Sequence, residues 1–357
     1  MNLLEESLSR IKPVDRSWID KAAARQLELT KPPGSLGRLE DIANRCAAIS
    51  ESLSPSVSRA LIAVFAGDHG VCEEGVSPYP QAVTVQMVLN FLRGGAAINT
   101  LTRANGIELK VVDVGVAGEL PEAPGLVRRR VACGTRNFVK GPAMSAEEAR
   151  AAIATGIDVA RQAAAEGFEL LGFGEMGIGN TTASTAIAAA LSSLPPALLV
   201  GRGAGADDQV LARKTRVVER ALALHRSHLD DPFDVLARVG GLEIAAMCGF
   251  CLGGAAERRP LVVDGVIATS AAALAVRMKP DVAGYLFAGH RSAEPAQTAL
   301  LQILDQEPLL DLRMRLGEGT GAAIAIKVIQ AAVAAFTGMA TFTSAGVSTN
   351  ETPIVQQ

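Results

Sequence analysis

One unit recurs along this chain and limits what it can fold into: an apolar run of strand length, a short turn carrying glycine and a polar residue, then a helical pattern. The apolar runs span 60–66, 108–114, 169–173, 260–263, 284–288 and 310–316. They end in "GDHG" (67–70), "DVG" (113–115), "GEMGIGN" (174–180), "DG" (264–265), "GHRS" (289–292) and "GEGTG" (317–321). Helical patterns occupy, among others, 145–166, 181–192, 206–228 and 320–338. Strands alternating with helices predict an α/β fold, a Rossmann-like parallel sheet with helices on both faces. Crossovers in such a sheet are right-handed and ligands bind beyond the carboxyl ends of the strands. The six polar signatures are therefore expected along one rim.

Residues 1–30 have apolar positions at helical spacing (Leu3, Leu4, Leu8 and Ile11, then Trp18, Ile19, Ala22 and Ala23). This N-terminal segment is expected to pack with the C-terminal helix as a small helical lobe on a main domain formed by 31–357. Hydrophobic residues are 49% of the 357 and charged residues 20%, enough for a large core. Aromatics are only 4%, so that core must be Ala, Val, Leu and Ile, which favours close packing of helices.

Composition also excludes several partners. Net charge is −3 and "RRR" at 128–130 is the longest basic run, a solvated strand face rather than a nucleic-acid surface. Cys248 and Cys251 form one C-x-x-C, but "MCGFCLGG" is apolar with no second pair and no nearby histidine, so buried free thiols are expected. The start "MNLLEESLSRIKPVD" has no apolar signal core. The apolar stretch 322–347 contains Lys327 and Gln330 and reads as a buried helix rather than a membrane span. A cytoplasmic protein is expected.

Several signatures carry chemistry. In "GEMGIGNTT" (174–182), Gly177 and Gly179 let backbone amides turn toward an anion, and Asn180, Thr181 and Thr182 begin a helix whose N-terminus attracts phosphate. No lysine follows the last glycine, so this is not a Walker loop; a tight turn with a capped helix is the plainer reading. Glu175 in the middle suits a ligand that carries a phosphate together with a positive or hydroxylated part. In "RLGEGTGAAIA" (315–325), Glu318 stands between glycines at a helix start. It reads as a general base approached closely by substrate, or as an acid favoured by the helix dipole. "VSPYPQ" opens 76–99 as a stiff loop able to wall a flat aromatic ligand, with Gln86 polar within the helix that follows or facing outward. Lys214 and Arg213 lie two turns into a helix capped by Asp207 or Asp208 and reach either a phosphate or solvent. Ser292 suits an anion or a helix start. Asp68 and His69 are read as hydrogen-bonding residues, because four histidines with no H-x-x-H pair leave a metal site unsupported.

Taken together, "KPPGSLGRLE" (31–40), "AGDHGV" (66–71), "YPQAVTVQM" (79–87), "GEMGIGNTT" (174–182), "GHRSAEP" (289–295) and "RLGEGTGAA" (315–323) resemble the nicotinate-nucleotide–dimethylbenzimidazole phosphoribosyltransferases over essentially the whole chain. The resemblance implies transfer of the phosphoribosyl group of nicotinate mononucleotide to 5,6-dimethylbenzimidazole, with inversion, in assembly of the cobalamin nucleotide loop. It implies Glu318 as catalytic base and Glu175 as an acid contacting the ribotide. Gly177, Asn180, Thr181, Lys214 and Ser292 fall at or near ribotide and phosphate positions. Tyr79, Gln86, Met87, Met176 and Leu316 complete the substrate site, with Tyr79 and Met87 standing where some relatives carry Ser and Gln. It further implies a homodimer, small-molecule substrates, no cofactor and no metal. Two other readings compete: a same-fold phosphoribosyltransferase with another acceptor (adenine, a phenol or a different benzimidazole), and a non-catalytic nucleotide-binding protein.

Overall fold

The computed structural model describes residues 2–203 and 205–348; the last nine residues of the 31–357 span lie outside them. Six strands form one sheet: β1 (Ala60–Gly67), β2 (Glu108–Gly115), β3 (Leu126–Arg128), β4 (Leu170–Met176), β5 (Leu261–Val263) and β6 (Leu286–Ala288). Their order is β3-β2-β1-β4-β5-β6 and every neighbouring pair is parallel. This is the doubly wound Rossmann order, in which the switch point between β1 and β4 opens a crevice at the carboxyl edge.

Alternation along β4 shows why both faces are covered. Phe173 points to one face, where it and Phe65 of β1 meet Phe250 of the helix Leu242–Ala256 edge-on, with ring centroids 5.8 and 5.5 Å apart. Its neighbour Gly172 points to the other, where a side chain would crowd Ile62 of β1 and Ile326 of the helix Thr320–Gly338. The shortage of aromatics is met by close backbone approach. Gly156 of the helix Ala146–Ala165 lies on the Ala246 carbonyl, and Gly249 lies on Ile153. Cys248 and Cys251 sit in this layer as fully buried free thiols, and burial pushes the Cys248 thiol up to about 12.

The helix Thr320–Gly338 is long and apolar enough to cross a membrane, by length and composition alone. Half of its apolar window is buried, packed on β4, β1 and the helix Arg38–Ser50. The chain ends meet beside it. Leu29 pairs with Thr341 in an antiparallel bridge, and the Arg25 guanidinium stands 5.5 Å from the Phe336 ring. The first helix, Leu3–Arg10, instead lies on the helices Ala146–Ala165 and Leu242–Ala256 of the main layer.

Three strand assignments change. Residues 310–316 form no strand; Leu310 makes a single bridge to His290, and Arg313 turns left-handed at φ 54°. Their alternation of leucine with Asp311, Arg313 and Arg315 mimics a half-buried strand, but Leu312 and Leu316 are exposed. The sixth place belongs to the three-residue β3 at the opposite edge, too short to leave a periodic signal. Residues 284 and 285 belong to a 3-10 turn, Pro280–Tyr285, so β6 starts at Leu286. Of the three adjacent arginines, Arg128 and Arg129 are exposed, while Arg130 turns inward to Asp113, Nε to Oδ2 at 3.1 Å.

Candidate active site

Strand register brings the polar signatures level. Phe65 of β1 pairs with Glu175, and Phe173 pairs with Val263, which pairs in turn with Ala288. Asp264 and His290 therefore follow their strands at about the height of Glu175. Above this edge lies a cavity of about 360 Å³. Its volume falls in the ordinary range for a small-molecule site.

Ten of the twelve residues expected at the site line this cavity: Glu175, Glu318, Gly177, Asn180, Thr181, Ser292, Tyr79, Met87, Met176 and Leu316. Lys214 does not line it. It lies 1% exposed behind Thr181, donating from Nζ to the Thr181 hydroxyl at 3.1 Å and to the Gly201 carbonyl at 3.0 Å. Gln86 is not among the lining residues and faces outward on the exposed side of the helix Ala82–Leu92. Ser292 begins no helix; it stands in the loop before the helix Ala296–Leu304. Asp207 caps the helix Asp208–His225, accepting from the Val210 amide at 2.8 Å.

Glu175 lies on β4 itself rather than in the turn after it. Its carboxyl is buried, accepts from the Asn180 side-chain amide and lies directly under Gly317, where any side chain would strike it. Burial, then the negative charges of Glu243 and Asp264, push this carboxyl up to about 8, with Asn180 opposing. At pH 7 without substrate Glu175 is thus mostly a neutral acid. After it, Gly177 packs on the Gly67 carbonyl with no room for a Cβ. The Ile178 amide donates to the Thr84 hydroxyl at 3.1 Å. The helix Asn180–Ser192 then begins with no side chain capping it; its Asn180 and Thr182 amides turn back to the Gly177 and Gly179 carbonyls, and the positive end of its dipole favours an anion.

Glu318 is held differently. It has φ 62°, between Gly317 at 85° and Gly319 at 87°. A left-handed residue with a side chain costs about 1–2 kcal/mol, so the surroundings must enforce it. Gly174 carries no side chain because Gly319 packs onto it, and the Ile98 amide donates to Glu318 Oε2 at 3.3 Å. Burial raises the Glu318 carboxyl; the Ile98 amide opposes, and nearby Asp264 adds to the rise.

The cavity has further residues that the motifs contained without being singled out. Glu294 Oε1 accepts from the Gly203 amide at 2.9 Å, and Arg315 donates to the Gly203 carbonyl at 2.9 Å, so both fix the loop over Thr181. Their signal was their place in "GHRSAEP" and "RLGEGTG". Val83, Ile178, Val266 and Ile267 complete the apolar wall; Val83 and Ile178 lie within "YPQAVTVQM" and "GEMGIGNTT", while only tertiary contact marks Val266 and Ile267. Asp68 and His69 stay behind the cavity. Asp68 Oδ2 accepts from the Ala117 amide at 2.8 Å, and His69 Nε2 meets Glu243 Oε1 at 2.7 Å.

A doubly wound sheet with two acids, an uncapped helix N-terminus and an apolar wall around one cavity at its carboxyl edge defines an α/β enzyme built to handle a phosphorylated nucleotide. Comparison with known proteins narrows this. A family model described as phosphoribosyltransferase matches residues 11–347. A protein named nicotinate-nucleotide–dimethylbenzimidazole phosphoribosyltransferase from Geotalea uraniireducens is 53% identical over 98% of this chain and 100% of its own length. One of the same name from Chloroflexus aurantiacus is 51% identical over 98% of this chain and 99% of its own. The crystal structure of the Thermus thermophilus protein of that name superposes with a TM-score of 0.89 at 49% identity, covering 94% of this chain and 99% of that one. The chain belongs to the nicotinate-nucleotide–dimethylbenzimidazole phosphoribosyltransferase family.

Proposed function

We propose that this protein transfers the phosphoribosyl group of nicotinate mononucleotide to 5,6-dimethylbenzimidazole, with inversion at the anomeric carbon, giving α-ribazole 5′-phosphate and nicotinate. The observation that carries the reading is the meeting of Glu175 and Glu318, both buried, in one cavity with the Gly177–Thr181 turn and an apolar wall. The phosphate takes the amides at the start of the helix Asn180–Ser192, with Lys214 supplying positive charge through Thr181. Ser292 lies on the same side as a further donor. Glu175 and Asn180 hold the ribose. Met87, Met176, Leu316 and Tyr79 enclose the flat acceptor, leaving Gln86 outside.

The chemistry balances without an added reactant. One acceptor nitrogen forms a bond to the anomeric carbon as the bond to the pyridinium nitrogen breaks, and that nitrogen leaves neutral with the electron pair. The other acceptor nitrogen loses its proton to Glu318. A carboxylate made more basic by burial is suited to this, and general-base action contributes about 10²–10⁴-fold. Positive charge developing on the ribose is stabilised by the Glu318 carboxylate before it takes the proton, while Glu175 acts through hydrogen bonds.

Incubating the purified protein with nicotinate mononucleotide and 5,6-dimethylbenzimidazole, without added metal, tests this. Equimolar nicotinate and α-ribazole phosphate are expected. Nicotinate without a new ribotide would mean hydrolysis, and preferential turnover of adenine or a phenol would move the assignment to another acceptor. The homodimer and the cytoplasmic setting rest on family resemblance, and sedimentation equilibrium checks the first.

A further inference from the structure

The base Glu318 sits in a turn that its own backbone does not favour, and one side chain outside the cavity holds that turn. Asp264, 2% exposed at the end of β5, accepts from the amides of Gly319 at 3.1 Å, Gly321 at 2.7 Å and Ala322 at 3.0 Å. Each of these belongs to the turn or first helical turn that follows Glu318. The helix Thr320–Gly338 has no capping side chain of its own, so Asp264 caps it from another strand. His290 Nε2 lies 3.6 Å from Asp264 Oδ1, and the His290 ring packs against Gly321, where a Cβ would collide with it.

We propose that Asp264 is a positioning residue for Glu318, its carboxylate tying down the turn that aims the base into the cavity. This rests on the reading of Glu318 as the base. Burial raises the Asp264 carboxyl above its ordinary range, and His290 and the three amides oppose that rise. The hydrogen bonds resolved on Asp264 come from three backbone amides, which suits an ionised carboxylate. Its charge therefore also stands behind Glu318. The other charged or titratable groups facing the same space among the described residues are Glu175 on β4, Tyr79, His290, Glu294 and Arg315. Removing the Asp264 charge makes Glu318 less basic, so its titration moves to lower pH.

The test is Asp264→Asn in the full chain. It keeps one carbonyl acceptor and puts an NH2 donor toward an amide that needs an acceptor. We expect kcat to fall about 10- to 100-fold, the cost of a small misplacement of a reacting group, with KM for nicotinate mononucleotide unchanged. In protein carrying 13C-labelled glutamate, the Glu318 carboxyl, assigned by its loss in Glu318→Gln, should titrate at lower pH in Asp264→Asn than in the wild type. In the Glu318→Gln background, Asp264→Asn should cost almost nothing more.

A folded Asp264→Asn protein with wild-type kcat, an unmoved Glu318 titration, or losses that multiply in the double variant overturns the proposal. Should Asp264→Asn fail to fold, Asp264→Glu keeps the charge and changes the reach. Lowered kcat with an unmoved Glu318 titration in that variant supports the proposal, and wild-type kcat overturns it. The titration needs no turnover, so a wild-type protein that made no ribazole phosphate would sink the functional reading while the titration still judged Asp264.

Discussion

The Lys214 ammonium donates to the Thr181 hydroxyl from a place almost wholly shut off from water. Of its two hydrogen-bond partners among the described residues, Thr181 lines the cavity and Gly201 does not. Burial pulls the ammonium below its ordinary range, with Glu294 nearby opposing. On the proposed reading, incoming phosphate adds negative charge near this buried cation, beyond that of Glu294. Lys214→Met should raise the Kd for nicotinate mononucleotide about 10- to 100-fold, the worth of one charge-assisted hydrogen bond. Calorimetry with the mononucleotide and with the unphosphorylated nucleoside checks this, and only the mononucleotide should weaken.

Glu318→Gln should lower kcat by about 10²–10⁴-fold and leave the fold intact. Glutamine tolerates the left-handed backbone about as well and keeps an acceptor for the Ile98 amide. Steady-state kinetics beside a thermal melt separates the two effects. An unfolded variant would show that the carboxylate is structural.

Glu175 makes stability depend on pH in a defined direction. Its carboxyl titrates near 8 in the folded protein, against an ordinary value of 4.5. The folded state therefore binds the extra proton between those values, and stability is lost as pH rises through that window. The Tm of the substrate-free protein should fall between about pH 5 and pH 8, and Glu175→Gln should flatten that slope. Calorimetric melts in matched buffers read it.

Gly156→Ala offers a prediction remote from the chemistry. A Cβ at Gly156 lands on the Ala246 carbonyl, and backbone cannot move aside as a flexible side chain can. The helices Ala146–Ala165 and Leu242–Ala256 must separate, at a cost of about 1–3 kcal/mol. Urea denaturation should show that loss, with kcat for the remaining folded protein close to wild type.

Much of the fold was legible because local patterns and global arrangement agree. The apolar runs at 60–66 and 170–173 lie in strands buried on both faces, so they read as continuous apolar stretches. The run at 310–316 deceived for the converse reason: alternating leucine and charge is the pattern of a half-buried strand, yet its pairing stops at the Leu310–His290 bridge just past β6, and the chain turns left-handed at Arg313. β3 escaped because three residues carry no period.

The sequence by itself determined the repeated strand–turn–helix unit, the glycine turns, and the position of Glu175 and Glu318 beside glycines, since each depends on neighbours along the chain. Only the tertiary structure decided that Lys214 works from behind Thr181, that Gln86 faces away, and that Asp264 caps a helix starting far along the chain, at Thr320. The reason is physical. Strand register and helix packing, which bring distant residues level at one edge, arise from contacts between segments far apart in the chain, and spacing along the chain does not encode them.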